Sequence, residues 1–137
     1  MKIRFGTAMK TLMRILLLSL AGIVATPLLA AAKAPAPDLV IQKTIQKSST
    51  FWTVKVKNSG KGDSNPTTLK MVATPGGEYS CPVAAIKAGE TADVPCKMPF
   101  KSKKDMRCEF ILNPDKTVAE SSYANNRATT VTNPKFN

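Results

Sequence analysis

The chain has 137 residues, with 20 lysines and arginines against nine acidic residues and no histidine, for a formal net charge of +11. That length holds one domain with a modest core. The lack of histidine excludes Ser-His-Asp and Cys-His catalytic arrangements, histidine-based zinc sites and blue-copper ligation.

The chain opens with the basic residues Lys2, Arg4, Lys10 and Arg14, followed by an apolar run from Ile15 to Ala25, then Pro27 and the small residues Ala30-Ala31-Ala32. This is the order of a secretory signal peptide, helical until it is removed, with cleavage expected near Ala32. Pro27 and the short apolar run argue against a retained membrane anchor, so a soluble mature chain without a transmembrane segment is expected. All nine acidic residues follow the cut and four basic ones precede it, so the mature chain stays basic.

Residues 33–37, Lys-Ala-Pro-Ala-Pro, read as an exposed, extended linker, because each proline fixes its own φ and biases its predecessor away from helix. Residues 38–133 then show no helical periodicity. Short apolar-alternating runs are separated by Gly, Pro, Asn, Asp and Ser clusters, and residues 134–137 form a tail. Leu39-Val40-Ile41 opens the first strand. In the next, Phe51 to Lys57, the side chains of Trp52, Val54 and Val56 share one face and those of Thr53, Lys55 and Lys57 the other. Trp52 is therefore assigned to the core rather than to ligand stacking. Turn chemistry at Asn58-Ser59-Gly60 ends that strand.

Leu69, Met71 and Ala73 mark the third run, which Pro75-Gly76-Gly77 ends. Val83 to Ile86 and the strand carrying Ala92, Val94 and Cys96 then flank the turn Lys87-Ala88-Gly89-Glu90, in which Gly89 is a turn residue. Met106, Cys108, Phe110 and Leu112 alternate in a penultimate strand, and Arg127 to Thr132 forms the last. Roughly seven strands with these turn signals predict an all-β fold, an antiparallel immunoglobulin- or fibronectin-III-like sandwich.

Several segments together resemble the bacterial cell-adhesion-related domain family, CARDB. They are Pro37-Asp38-Leu39-Val40, Val54 to Gly60, Ile86 to Thr91, and Asn113-Pro114-Asp115 through Glu120 to Asn126. The resemblance implies an exported sandwich serving as an accessory or adhesive module, without implying a reaction. It also implies carboxylates where this chain has Asn113 and Tyr123, which argues against a calcium site at that end. Asn125 and Asn126 read as a turn tolerant of left-handed backbone, with Glu120 as hydrogen-bond acceptor, and all three as structural.

Cys81, Cys96 and Cys108 are an odd set in a compartment that permits disulfides. Cys81 and Cys96 are equally spaced about the Ala88-Gly89 turn and would face each other across a symmetric hairpin. Cys96 with Cys108 is the rival pairing, across the sandwich. The first is favoured, leaving Cys108 as a buried thiol in phase with Met106 and Phe110. The scattered acids mark out no catalytic pair, and Met71, Met98 and Met106 read as packing, so no cofactor, no metal and no enzymatic activity are expected.

Lys97, Lys101, Lys103, Lys104 and Arg107 cluster between Cys96 and Cys108, opposed only by Asp105. Such a cluster is an electrostatic footprint for an anionic partner. Aromatic side chains do not interleave with these lysines as successive stacking platforms would require, and export points the same way, which argues against nucleic acid as the evolved target. The expected role is a periplasmic or secreted module that binds a protein, an anionic glycan or lipopolysaccharide at the bacterial envelope. The alternative is a self-associating subunit of an envelope or secretion assembly.

Overall fold

The computed structural model describes residues 32–103 and 105–136. The expected signal peptide lies outside these apart from Ala32, and so does Lys104. Seven strands follow: β1 (Leu39–Ser48), β2 (Phe51–Asn58), β3 (Thr67–Thr74), β4 (Gly77–Val83), β5 (Thr91–Lys97), β6 (Arg107–Leu112) and β7 (Arg127–Val131). A short 3-10 turn, Pro134–Phe136, comes last. All pairings are antiparallel, in a three-stranded sheet ordered β1-β2-β5 and a four-stranded sheet ordered β4-β3-β6-β7.

Period-two burial makes the two sheets one body. Trp52, Val54 and Val56 of β2 turn inward, as do Leu69, Met71 and Ala73 of β3 and Cys108, Phe110 and Leu112 of β6. The Trp52 and Phe110 rings meet between the sheets, centroids 5.5 Å apart at 60°. Thr53, Lys55 and Lys57 take the opposite face of β2, where Lys55 pairs with Asp93 at 2.8 Å.

The segment after Pro75 departs from the sequence expectation. Residues 77–83 form β4, paired with β3, while residues 84–86 belong to no strand. β4 and β5 lie in different sheets, so no hairpin exists about Ala88-Gly89. Cys81 and Cys96 are nevertheless bonded, with Cα atoms 5.4 Å apart, because the end of β4 and the end of β5 meet across the sandwich. The pairing expected from a hairpin is thus made by an inter-sheet link. Gly89 keeps its turn role: its φ is 80°, a left-handed value that suits glycine, and Glu90 N donates to Lys87 O at 3.0 Å.

The linker also packs more than its composition suggests. Lys33, Ala34 and Pro35 are exposed, whereas Pro37 is buried and its carbonyl accepts from Ser121 N at 3.0 Å. Gly60 and Gly62 make that docking possible, since a Cβ on Gly60 would stand 2.5 Å from Ala36 O and one on Gly62 closer still to Pro35 O.

The disulfide closes a loop with a sequence separation of 15. Reducing it, or replacing both cysteines with alanine, is expected to lower stability by about 3 kcal/mol with the fold retained. Urea denaturation monitored by Trp52 fluorescence, with and without reductant, measures this; coincident curves would contradict it.

Candidate functional site

Two regions concentrate polar side chains, and they sit on different ends of the strands. The first is built on carboxamides. Asn58 is fully buried at the end of β2, and its Oδ1 accepts from Asp38 N and Gly60 N, each at 3.1 Å. Its Nδ2 donates to Gly62 O and Ile86 O, each at 2.9 Å. One side chain therefore uses its full hydrogen-bonding capacity to tie the start of β1 to two crossover loops.

Asn113 does the same after β6. It has a φ of 50°. Its Oδ1 accepts from Thr67, Thr117 and Val118, and its Nδ2 donates at 2.7 Å to Val118 O and to Glu120 Oε1. Glu120 Oε1 also accepts from Asn126 Nδ2 at 2.7 Å, and Oε2 from Leu39 N at 2.7 Å. The chain does turn at Ala124-Asn125, where Asn126 N donates to Tyr123 O at 3.3 Å, but without left-handed backbone; in the β6–β7 connection that backbone occurs at Asn113 and at Lys116, whose φ is 53°. Asn125 contributes through its side chain, with Nδ2 donating to Asp38 Oδ1 at 2.9 Å. Tyr123 donates from its hydroxyl to Val118 O at 3.3 Å and accepts from Glu120 N at 3.2 Å.

This chemistry does not suit a cation. Two amide groups point N–H donors at the Glu120 carboxylate, and among the described residues no three carboxylate or cysteine side chains come together. The arrangement instead orders the long connection from β6 to β7.

The second region is the β5–β6 connection. Met98 and Met106 are buried at its two ends. Met98 N donates to Thr50 O at 2.8 Å, Gln46 Nε2 to Ser102 Oγ at 3.0 Å, Thr132 N to Met106 O at 3.0 Å, and Thr132 Oγ1 to Lys103 O at 2.6 Å. The loop is therefore pinned to β1, to the β1–β2 turn and to the end of β7. From it Lys101 and Lys103 are exposed, flanked by exposed Lys97 on β5 and Arg107 on β6.

One feature here was invisible in the sequence. Phe100 packs edge-on against Tyr79 of β4, centroids 5.5 Å apart, and lies over Gly76, where an added Cβ would come within 2.7 Å of its ring. Pro75, Gly76, Phe100, Lys101 and Lys103 line an open cleft of about 300 Å³. Phe100 directly precedes Lys101 in the sequence, and the β3–β4 turn and β4 bring Tyr79 to it.

Cys108 lies inward on β6, buried and unbonded, and burial pushes its thiol pKa above the ordinary range. It faces the core rather than either polar region.

The CARDB family model matches residues 36–130. The chain belongs to the CARDB family. Its fold is shared with two solved domains. One is the solution structure of residues 272–376 of a Methanosarcina acetivorans protein named for the cell surface, with TM-score 0.61, 17% identity, and coverage of 70% of this chain and 90% of that one. The other is the crystal structure of a CARDB domain from Pyrococcus furiosus in complex with di-metal ions, with TM-score 0.55, 22% identity, and coverage of 69% and 89%. No curated protein matches the chain. At these identities the likeness concerns the CARDB sandwich alone.

Two outcomes are expected. Glu120→Ala strands the N–H groups of Leu39, Asn113 and Asn126 and should cost roughly 2–4 kcal/mol in urea unfolding; a change below about 0.5 kcal/mol would sink the structural role given to this carboxylate. Cys108 should resist iodoacetamide near pH 8 in the folded protein and react on unfolding. Its raised folded pKa means the unfolded thiol ionises first, so this group's contribution to stability is present at neutral pH and falls as pH rises past about 8.5, the unperturbed thiol value. A Cys108→Ala variant should lose that alkaline component.

Proposed function

We propose that the mature chain is an exported, non-enzymatic CARDB module that binds an anionic partner at the cell envelope, a glycan such as lipopolysaccharide or an acidic protein surface, through the β5–β6 loop and the cleft beside it. The observation that carries this reading is the pinned loop presenting Lys101 and Lys103 at the rim of a cleft floored by Phe100. A cation on a rigid loop loses little conformational freedom on binding, and an apolar floor supplies area that charge alone does not.

Export is supported by the leader-like first 32 residues, by the Cys81–Cys96 disulfide, and by the cell-surface name carried by one structural relative. Among the described residues no helix is long and apolar enough to cross a membrane. The non-enzymatic reading rests on the absence of histidine and on side-chain carboxylates that are engaged in structural bonds, as at Glu120, or in ion pairs, as at Asp93, Glu78 and Glu109. Nucleic acid is a poorer fit, because the aromatic pair is packed on itself rather than laid out as successive stacking platforms.

The test compares two double variants of equal net charge. Lys101→Glu with Lys103→Glu should weaken binding to immobilised lipopolysaccharide or heparin on the order of tenfold or more, about 1.4 kcal/mol. Lys61→Glu with Lys87→Glu, exposed on other loops, should change it little. Both should melt near the wild-type temperature. Equal losses from the two pairs would reduce the effect to net charge and overturn the site.

A further inference from the structure

Two sheets have four edges, and three of them are closed by the chain itself. In β4 the register turns Glu78, Ser80 and Pro82 outward, because Asn113 N donates to Thr68 O and the odd-numbered residues of β3 face β4. Pro82 offers no N–H there. In β5, Asn58 N donates to Glu90 O and Met98 N to Thr50 O, so Thr91, Asp93, Pro95 and Lys97 point outward, and Pro95 blocks the middle of that edge. β1 carries register shifts between Ile41 and Lys43 and between Gln46 and Ser48. Its outward N–H groups at Leu39 and Ile41 donate to Glu120 Oε2 and Asn125 O. Proline, bulges and capping are the usual means of protecting an edge.

β7 has none of them along its length; the chain caps only the backbone flanking it, Asn125 O by Ile41 N and Asn133 N by Gln46 Oε1. Leu112 N donates to Asn126 O and Thr132 N to Met106 O, which turns the backbone of Arg127, Thr129 and Val131 away from β6. Its register with β6 is unbroken, it contains no proline, and among the described residues no strand pairs with its outer side. Val131, on the same edge, is the one large hydrophobic side chain among the described residues that stands well exposed, at 54%.

We infer that β7 pairs antiparallel with β7 of a second copy, in the register that sets Thr129 opposite Thr129 and joins the two four-stranded sheets across a two-fold axis. The strand is complementary to itself in that register. Arg127 falls opposite Val131 twice, so no two like charges meet, and the aliphatic stem of each arginine lies along a valine. Each Arg127 guanidinium is already matched within its own copy by Glu109 at 2.8 Å, so the edge asks for no charged partner. All three outward residues present both N–H and C=O to the other copy, as an isologous contact requires.

The inference stands apart from anionic binding by the β5–β6 loop, and salt separates the two. The mature protomers are both basic, so screening should strengthen their pairing while it weakens lipopolysaccharide retention.

The test uses the mature protein with Thr129→Cys or Val131→Cys. Two Thr129 positions facing each other across the axis lie within disulfide reach, about 5.5 Å between Cα atoms, whereas two Val131 positions lie roughly 13 Å apart. Cys108 is buried and Cys81 is bonded to Cys96, so neither competes. Under mild oxidation Thr129→Cys should form covalent dimer on the order of tenfold faster than Val131→Cys. Wild-type protein should shift toward dimer in sedimentation as concentration and salt rise, and Lys101→Glu with Lys103→Glu should leave the cross-linking intact. Equal rates for the two cysteine variants, or a wild-type monomer at every concentration and salt, would overturn the inference.

Discussion

A sandwich buries its side chains easily, and its difficulty lies in the backbone at the places where the chain leaves one sheet for the other. Every N–H and C=O in those crossings needs a partner, since stranding one costs about as much as a good hydrogen bond contributes. Here the requirement is met by a few carboxamides and one carboxylate. Asn58 satisfies the crossings near β1 and β5, and Asn113 with Glu120 satisfies the path from β6 to β7. These side chains are buried or nearly so because the groups they serve are, and their amides offer donors and acceptors without the desolvation cost of a charge.

The same requirement shapes the surface available for recognition. The β5–β6 loop is long, but Thr132, Ser49 and Thr50 hold its backbone at intervals, Gln46 holds the Ser102 hydroxyl, and its two methionines anchor it in the core. Its lysines therefore project from a fixed frame beside Phe100 and Tyr79. The end of the domain organised by Glu120 is the contrasting case, because the Glu120 oxygens and the Asn113 amide are consumed internally, while the Oδ1 atoms of Asn125 and Asn126 are buried without a hydrogen-bond partner.

Much of this was legible from residue order. Alternation placed β2, β3 and β6 and assigned their inward faces, because a strand with one wet side writes its burial directly into the sequence. β4 was less legible. Gly77 to Val83 turns Tyr79, Cys81 and Val83 to one side, but it contains Pro82 and begins directly from the Pro75-Gly76 turn, so it reads as the tail of a loop. That omission is why the Cys81–Cys96 pair suggested a hairpin: period and spacing give strands and turns, but not which sheet a strand joins. The basic loop was readable as a charge cluster. Its aromatic companion was not, since Tyr79 and Gly76 reach Phe100 only through the sheet topology. The left-handed backbone at Asn113 was equally unreadable, because asparagine tolerates that conformation at several turns of this chain and sequence alone does not choose among them.

The two flanks of the sandwich are closed in different ways, and this asymmetry links stability to recognition. On one flank a covalent bond joins β4 to β5, and the outward prolines of both strands prevent further pairing there. On the other, β1 and β7 are connected through polar contacts, Ile41 N to Asn125 O near one end and Asn133 N to Gln46 Oε1 near the other. β7 lies on this second flank, whereas the cleft beside Lys101 and Lys103 reaches the β3–β4 turn and Tyr79 of β4 on the disulfide side, so the β5–β6 loop spans the end of the four-stranded sheet from one border to the other, ending at Thr132 beyond β7.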